Sequence, residues 1–255
     1  MNRTKLKYAV SAALIIGGLS NAVWAESSAE LPDARHLIDR HIEAIGGREA
    51  LLAQNEAVMH GEFAMPAAGV TGSMMMASRA SGDRVMVIEL PGLGEMRSGY
   101  SRDLAWSIDP FLGPRLIEGD ELAAQVERME PGAVLRDSEF VASASTLELA
   151  NFADQDCYRV ELKWRSGRSS HDCYAVDSGL LIAMESVETS PMGEVESLSL
   201  LGEYETMHGL LVPTVTRVQV MGQEQIVTIS EISLETPDDA LFELPPPIRT
   251  LLEDR

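Results

Sequence analysis

The 255-residue chain carries 40 acidic and 20 basic residues, a formal net charge of −20 at pH 7. This balance argues against a nucleic-acid ligand, which needs concentrated Lys and Arg, and against adhesion to an anionic bilayer by charge. The length suits one large β domain or two small ones.

The first 25 residues read as a secretory signal peptide. "MNRTKLK" is a short basic start, "YAVSAALIIGGL" is apolar, and "SNAVWA" ends with the small residues Val23 and Ala25. Cleavage is expected after Ala25. The apolar run is too short for a comfortable span of about 20 residues, so no stable membrane insertion is expected. No cysteine near the cut offers an acyl anchor. Removing Arg3, Lys5 and Lys7 makes the mature chain, 26–255, more acidic still, which serves solubility.

The mature chain opens with a predicted helix, "PDARHLIDRHIEAIGG", with Leu37, Ile38, Ile42 and Ile45 on one side and Gly46-Gly47 as its stop. A short helical piece, "REALLAQNE", follows. From about residue 57 come short β-prone runs separated by Pro, Gly and Asp turns: "AVMHGEFAM", "GVTGSMMMASRA", "DRVMVIEL", "GEMRSGYS" and "DLAWSID". The second run holds Met74, Met75 and Met76 in succession. Strand residues alternate faces, so the three cannot enter one core. Either this strand is covered on both sides, or one face is an apolar surface kept for something other than self-packing.

A helix in "EGDELAAQVERMEP" interrupts the strands, with Asp120 as cap, Pro131-Gly132 as stop and an apolar stripe of Leu122, Val126 and Met129. Residues 133–144 are ambiguous, with a helix as one option. Strands resume through "STLELANF", a cysteine hairpin, "LLIAMESVE", "VESLSLLGEYETM", "LLVPTVTRVQVM" and "QIVTISEISLE". The chain ends in "PDDALFELPPPIRTLLEDR", read as a Pro-rich run and a polar finish. With no linker and no solenoid period, one mostly β domain with a few helices is expected over 26–255.

Cys157 and Cys173 are the only cysteines, and they flank the hairpin "CYRVELKWRSGRSSHDCYAVD". Tyr158, Val160, Leu162 and Trp164 form its apolar row. A three-residue loop ending in Gly167 sets Cys173 opposite Arg159, diagonal to Cys157. A bulge or a slightly longer loop would bring the cysteines together. Disulfides persist in exported chains, so a structural one is expected here. Without a CxxC a redox role lacks support.

Motifs for catalysis are missing. Histidines 36, 41, 60, 171 and 208 form no HExxH and no cysteine-histidine metal spacing. Adjacent strand methionines point oppositely and make a poor copper chelate. The sequence has no GxSxG elbow and no P-loop, and the GxG of "PGLGEM" lacks the following helix that dinucleotide binding requires. No metal, no cofactor and no enzymatic activity are expected.

The order of elements resembles the periplasmic lipoprotein-carrier superfamily of LolA and LolB. Four stretches carry the resemblance: the opening "IEAIGGREAL", the strand-turn-strand "MMMASRASGDRVMVIEL", the aromatic-bearing "SGYSRDLAWSIDPFLG" and the closing Phe-x-x-Pro-Pro of "DALFELPPPI". The resemblance implies a mainly β (α+β) fold, a single incomplete antiparallel β-barrel whose apolar concave face is covered by helices. It implies a periplasmic, non-enzymatic carrier of lipoprotein acyl chains or another lipid, acting in outer-membrane biogenesis. Met74, Met76, Met86, Ile88 and Trp106 would line the cavity, with Leu122 and Val126 on the lid beside the opening helix. Arg79 matches the family arginine that bonds to the lid, although Ala80-Ser81 follows where the family often has Pro.

The expected partners are an acylated ligand and an envelope protein that passes it on; nothing requires a dimer. Two rivals stand beside the carrier. One is an envelope sensor or scaffold of the same fold, which a large apolar patch outside the cavity would favour. The other is a hydrolase, which buried carboxylates of raised pKa would favour.

Overall fold

The alternating runs that begin near residue 57 become thirteen strands of one antiparallel sheet in the computed structural model. It describes residues 30–254 apart from 54, 102–103, 130–132 and 191–192. The predicted signal peptide lies outside the described residues. Two helices, α1 (Ala34–Ala44) and α2 (Arg48–Ala53), precede the strands. A first meander contains β1 (Ala57–Met65), β2 (Val70–Ser78), β3 (Arg84–Leu90), β4 (Gly94–Ser101), β5 (Leu104–Asp109) and β6 (Gly113–Ile117). Helix α3 (Gly119–Met129) follows, and then the second meander. This comprises β7 (Val141–Phe152), β8 (Gln155–Trp164), β9 (Ser169–Ala175), β10 (Leu181–Ser190), β11 (Gly193–Met207), β12 (Leu210–Val220) and β13 (Gln223–Ser233). A 3-10 turn at Asp239–Phe242 and helix α4 (Pro246–Glu253) end the chain.

Strand order is β6-β5-β4-β3-β2-β1-β13-β12-β11-β10-β9-β8-β7. Pairing of β1 with β13 fuses the two meanders, and β6 and β7 remain as edges, so the barrel is incomplete. The edges are consecutive in the chain, and α3 lies on the connection between them. Leu31–Arg255 forms one compact unit.

The elements differ from the sequence expectation in three places. Strand β6, "GPRLI", was not anticipated, because Pro114 demotes a strand; an edge tolerates it. Residues 133–144 hold a 3-10 turn at Ala133–Leu135 and then the start of β7, not a helix. The Pro-rich tail is partly α4, whose prolines sit in the first turn, where the missing N–H costs nothing; its Ile248 is fully buried.

The cysteines form the expected disulfide, with Cα atoms 5.5 Å apart. The register is the predicted diagonal one, Arg159 opposite Cys173 and Cys157 opposite Ala175. No bulge aligns the pair; the bond spans the diagonal.

Candidate functional site

Cross-strand partners point to the same side, so the register sorts the sheet into two faces. Val160, Leu162 and Tyr174 on one face pack with Leu37, Ile38 and Ile42 of α1 in the main core cluster; this is the inner face. The disulfide lies on the other, outer face, packed with Ala175, Ile182 and Ala183.

Helix α1 is held at both ends. Asp33 caps it, accepting from the backbone N–H of Arg35 at 2.9 Å and of His36 at 3.1 Å. Arg40 donates to the carbonyls of Val176 and Asp177 at 2.9 and 2.7 Å. Past its C-terminus, Leu211 N–H donates to the Ile45 carbonyl at 2.8 Å. Gly46 then turns with φ +123°, where a Cβ would come 2.6 Å from the Gly209 carbonyl oxygen. Only glycine allows that approach.

Between α2, the 3-10 turn at Ala133–Leu135 and the inner face lies a cleft of about 520 Å³. Its apolar walls are Leu51, Met59, Ala133, Val134, Trp164 and Met184. Serines 170, 186, 197 and 199 form a small hydroxyl-bearing patch on β9–β11. Arg84, Arg136, Arg168, Asp172 and, at the rim, Glu185 supply its charge. Arg136 Nε donates to Asp172 at 3.1 Å, and Tyr174 Oη donates to the same carboxylate at 2.9 Å. Arg168 pairs with Glu127 of α3 at 3.4 Å and lies 4.8 Å over the Trp164 ring. A larger groove of about 780 Å³ runs over the outer face, but Arg159, Glu185, Glu194 and Glu196 make it strongly charged.

Below this network, burial is the largest cause pulling His41 from 6.5 down to about 4, helped by the charge of Arg136. Its neutral ring nitrogen Nδ1 sits 3.2 Å from Leu181 N–H and 3.3 Å from the Gly179 carbonyl. Burial, with the Asp172 charge second, also holds the Tyr174 phenol well above its ordinary value. Asp172 is the one carboxylate residue buried among the described residues, and it is tied to two partners.

The predicted site residues separate into four places. Met74, Met86 and Ile88 share the inner face and pack together with Phe63 and Leu90. Met76 pairs with Met59 on one side and Met86 on the other, forming a methionine row across β1–β3 that reaches the cleft at Met59. Met75 faces the opposite way with Val87. Trp106 does not join this set. Its register partner is Gly99, which pairs with Val85, so the indole lies on the outer face. Leu122 and Val126 line a separate space of about 450 Å³ between α3, Phe140 and Arg165. The Met129 side chain lies outside the described residues.

Arg79 bonds to Asp239 and stacks 3.9 Å over Phe242, so its described partners lie in the closing segment and in its own turn, not on the helices. The sequence reading missed Met59, Trp164, Met184 and the serine patch. They share a wall only through pairing of β1 with β13 and packing of the 3-10 turn at Ala133–Leu135. Their only sequence signal was alternation within each strand. Among the described residues no group of three His, Cys, Asp or Glu side chains is placed to hold a metal ion, and no helix is long and apolar enough to cross a membrane.

No protein-family model matches the sequence, and no curated protein matches it. Solved structures do. A LolA superfamily protein from Nitrosomonas europaea superposes with a TM-score of 0.53 at 14% identity, covering 84% of this chain and 99% of that one. A DUF1329 family protein from Desulfovibrio piger gives 0.52 at 12% identity, covering 84% and 98%. A putative outer membrane lipoprotein-sorting protein domain from Vibrio parahaemolyticus gives 0.51 at 8% identity, covering 86% and 98%. An unclosed antiparallel sheet with a helix seated on its inner face, matched over most of its length by these structures, is the LolA-like fold, and this chain has it.

Proposed function

We propose that this protein is a non-enzymatic periplasmic binder and carrier of a lipid or lipoprotein acyl chain, held between α2, the 3-10 turn at Ala133–Leu135 and the inner face of the sheet. The observation that supports this best is the cleft of about 520 Å³ inside an unclosed barrel, continuous with the methionine row Met59, Met76 and Met86. Each methylene taken from water contributes about 0.8 kcal/mol. Methionine adapts to irregular guests better than branched side chains do. Met74 and Ile88 form the packed base of this surface, and Leu122 and Val126 give α3 the apolar underside of a gate. The fold neighbours support the reading because one is described as a putative lipoprotein-sorting domain. A hydrolase gains no support from Asp172, whose carboxylate is engaged by Arg136 and Tyr174.

Native mass spectrometry of residues 26–255 purified gently from periplasm tests the reading. Discrete added masses that extract as lipids support it. A clean unliganded mass with no uptake on lipid challenge moves the assignment to an envelope sensor or scaffold. Phe111 and Leu112 favour that second reading, being 72% and 74% exposed in the β5–β6 turn.

A further inference from the structure

The charges around the cleft do not cancel. Arg136 is matched by Asp172, and Arg168 by Glu127. Glu185, at the rim, gives its carboxylate to Arg159 at 2.7 Å. Arg84 is left over. It makes no ion pair or side-chain hydrogen bond among the described residues, and its Nε is buried without a partner. Its cross-strand neighbours are Ser78 and Tyr100, and the next inner-face residue on β3 is Met86, so no described carboxylate stands beside it on this face. Burial lowers its pKa from the ordinary arginine value. A half-buried cation with no counter-ion among the described residues is costly.

We infer that the ligand of this cleft is an anionic amphiphile whose carboxylate or phosphate head is bound by Arg84, with its tail along Met59, Met76 and Met86. This rests on the lipid-binding reading and adds the charge of the ligand. Ser197 and Ser199 line the same cleft and offer hydroxyl donors to such a head. Arginine suits the task because its planar fork matches both carboxylate and phosphate.

The test titrates delipidated protein with dodecyl phosphate, laurate and dodecanol, which share a tail, and with inorganic phosphate alone. At least one anionic ligand is expected to bind about tenfold tighter than dodecanol, the value of one charge-assisted hydrogen bond. That preference should fall to within about threefold in Arg84→Gln and return in Arg84→Lys. The stronger of the two anions identifies the head as phosphate or carboxylate. Equal affinity for dodecanol and both anions, or a preference that survives in Arg84→Gln, overturns the anion site and leaves lipid binding standing. Failure of every amphiphile to bind overturns both. Inorganic phosphate binding as tightly as dodecyl phosphate overturns the assignment to an amphiphile. The comparison among ligands on the wild-type protein holds even if Arg84→Gln folds poorly.

Discussion

The guanidinium of Arg79 lies 3.9 Å from the ring centroid of Phe242 and bonds to Asp239. This contact pins the segment after β13 against the β2–β3 turn. Arg97 adds a second tie, donating to the Leu241 carbonyl at 2.9 Å. The Phe242 ring is half-buried, whereas the Asp239 side chain is 95% exposed, so the ring is the stronger anchor. Phe242→Ala should lower unfolding free energy by about 2 kcal/mol. Asp239→Asn should leave it nearly unchanged, because exposed ion pairs are screened. Urea unfolding of both variants checks this; an equal loss in the two would refute the ranking.

His41 makes stability depend on pH. Its folded value, about 4, lies below the unfolded 6.5, so the unfolded chain binds more protons in between. The stability contributed is present above pH 6.5 and is lost as pH falls toward 4, by about 3 kcal/mol at most. Asparagine can still accept from Leu181 N–H and cannot titrate, so His41→Asn should flatten this part of the profile. Urea midpoints measured across that window decide the matter.

The disulfide closes a loop of sequence separation 16 and joins two buried side chains. A loop of this size predicts a loss of about 3 kcal/mol in the Cys157→Ala/Cys173→Ala double variant. Denaturant unfolding with and without reductant measures it; reductant should affect only the wild type.

Trp106 and the cleft should behave as independent sites. A Cβ at Gly99 would fall 2.5 Å from the Trp106 ring, so Gly99→Ala must displace the indole. Overpacking of this kind costs about 1–3 kcal/mol. Amphiphile affinity should not change, since the indole is on the outer face. A large affinity loss in a folded Gly99→Ala protein would put Trp106 back in the binding site.

Helix α1 buries Ala34, Leu37, Ile38 and Ile42, whereas no described residue of α3 is fully buried. Glu127 holds it, accepting from Ser166 Oγ at 2.7 Å and from Arg168, while Glu121 forms a two-pronged pair with Arg115 at 2.6 and 2.8 Å. Glu127→Ala should speed hydrogen exchange across Gly119–Met129 and leave Ala34–Ala44 unchanged. Equal acceleration in both helices would mean that they open together.

Alternation and turn chemistry already marked twelve of the thirteen strands in some form, because a half-buried strand must alternate and its turns need Gly, Pro or Asp. They also marked α1, α3 and the cysteine pair, whose diagonal register followed from loop length alone. Edge strand β6 and helix α4 escaped, since proline weakens both patterns until the surrounding structure shows where it sits.

The site was less legible, for a physical reason. Local sequence determines which residues of one strand share a face, and so Met74 and Met76 were separable from Met75. It does not determine which face of one strand continues into which face of another. Trp106 fell on the outer face because Gly99 takes the position opposite it. Met59 and Met184 met across the cleft because β1 pairs with β13, a contact between distant parts of the chain. Nor could the sequence show that no described carboxylate lies beside Arg84, since ion pairing depends on which strands become neighbours. The chain by itself determined an acidic, mostly β protein; its tertiary pairing decided what the inner face could hold.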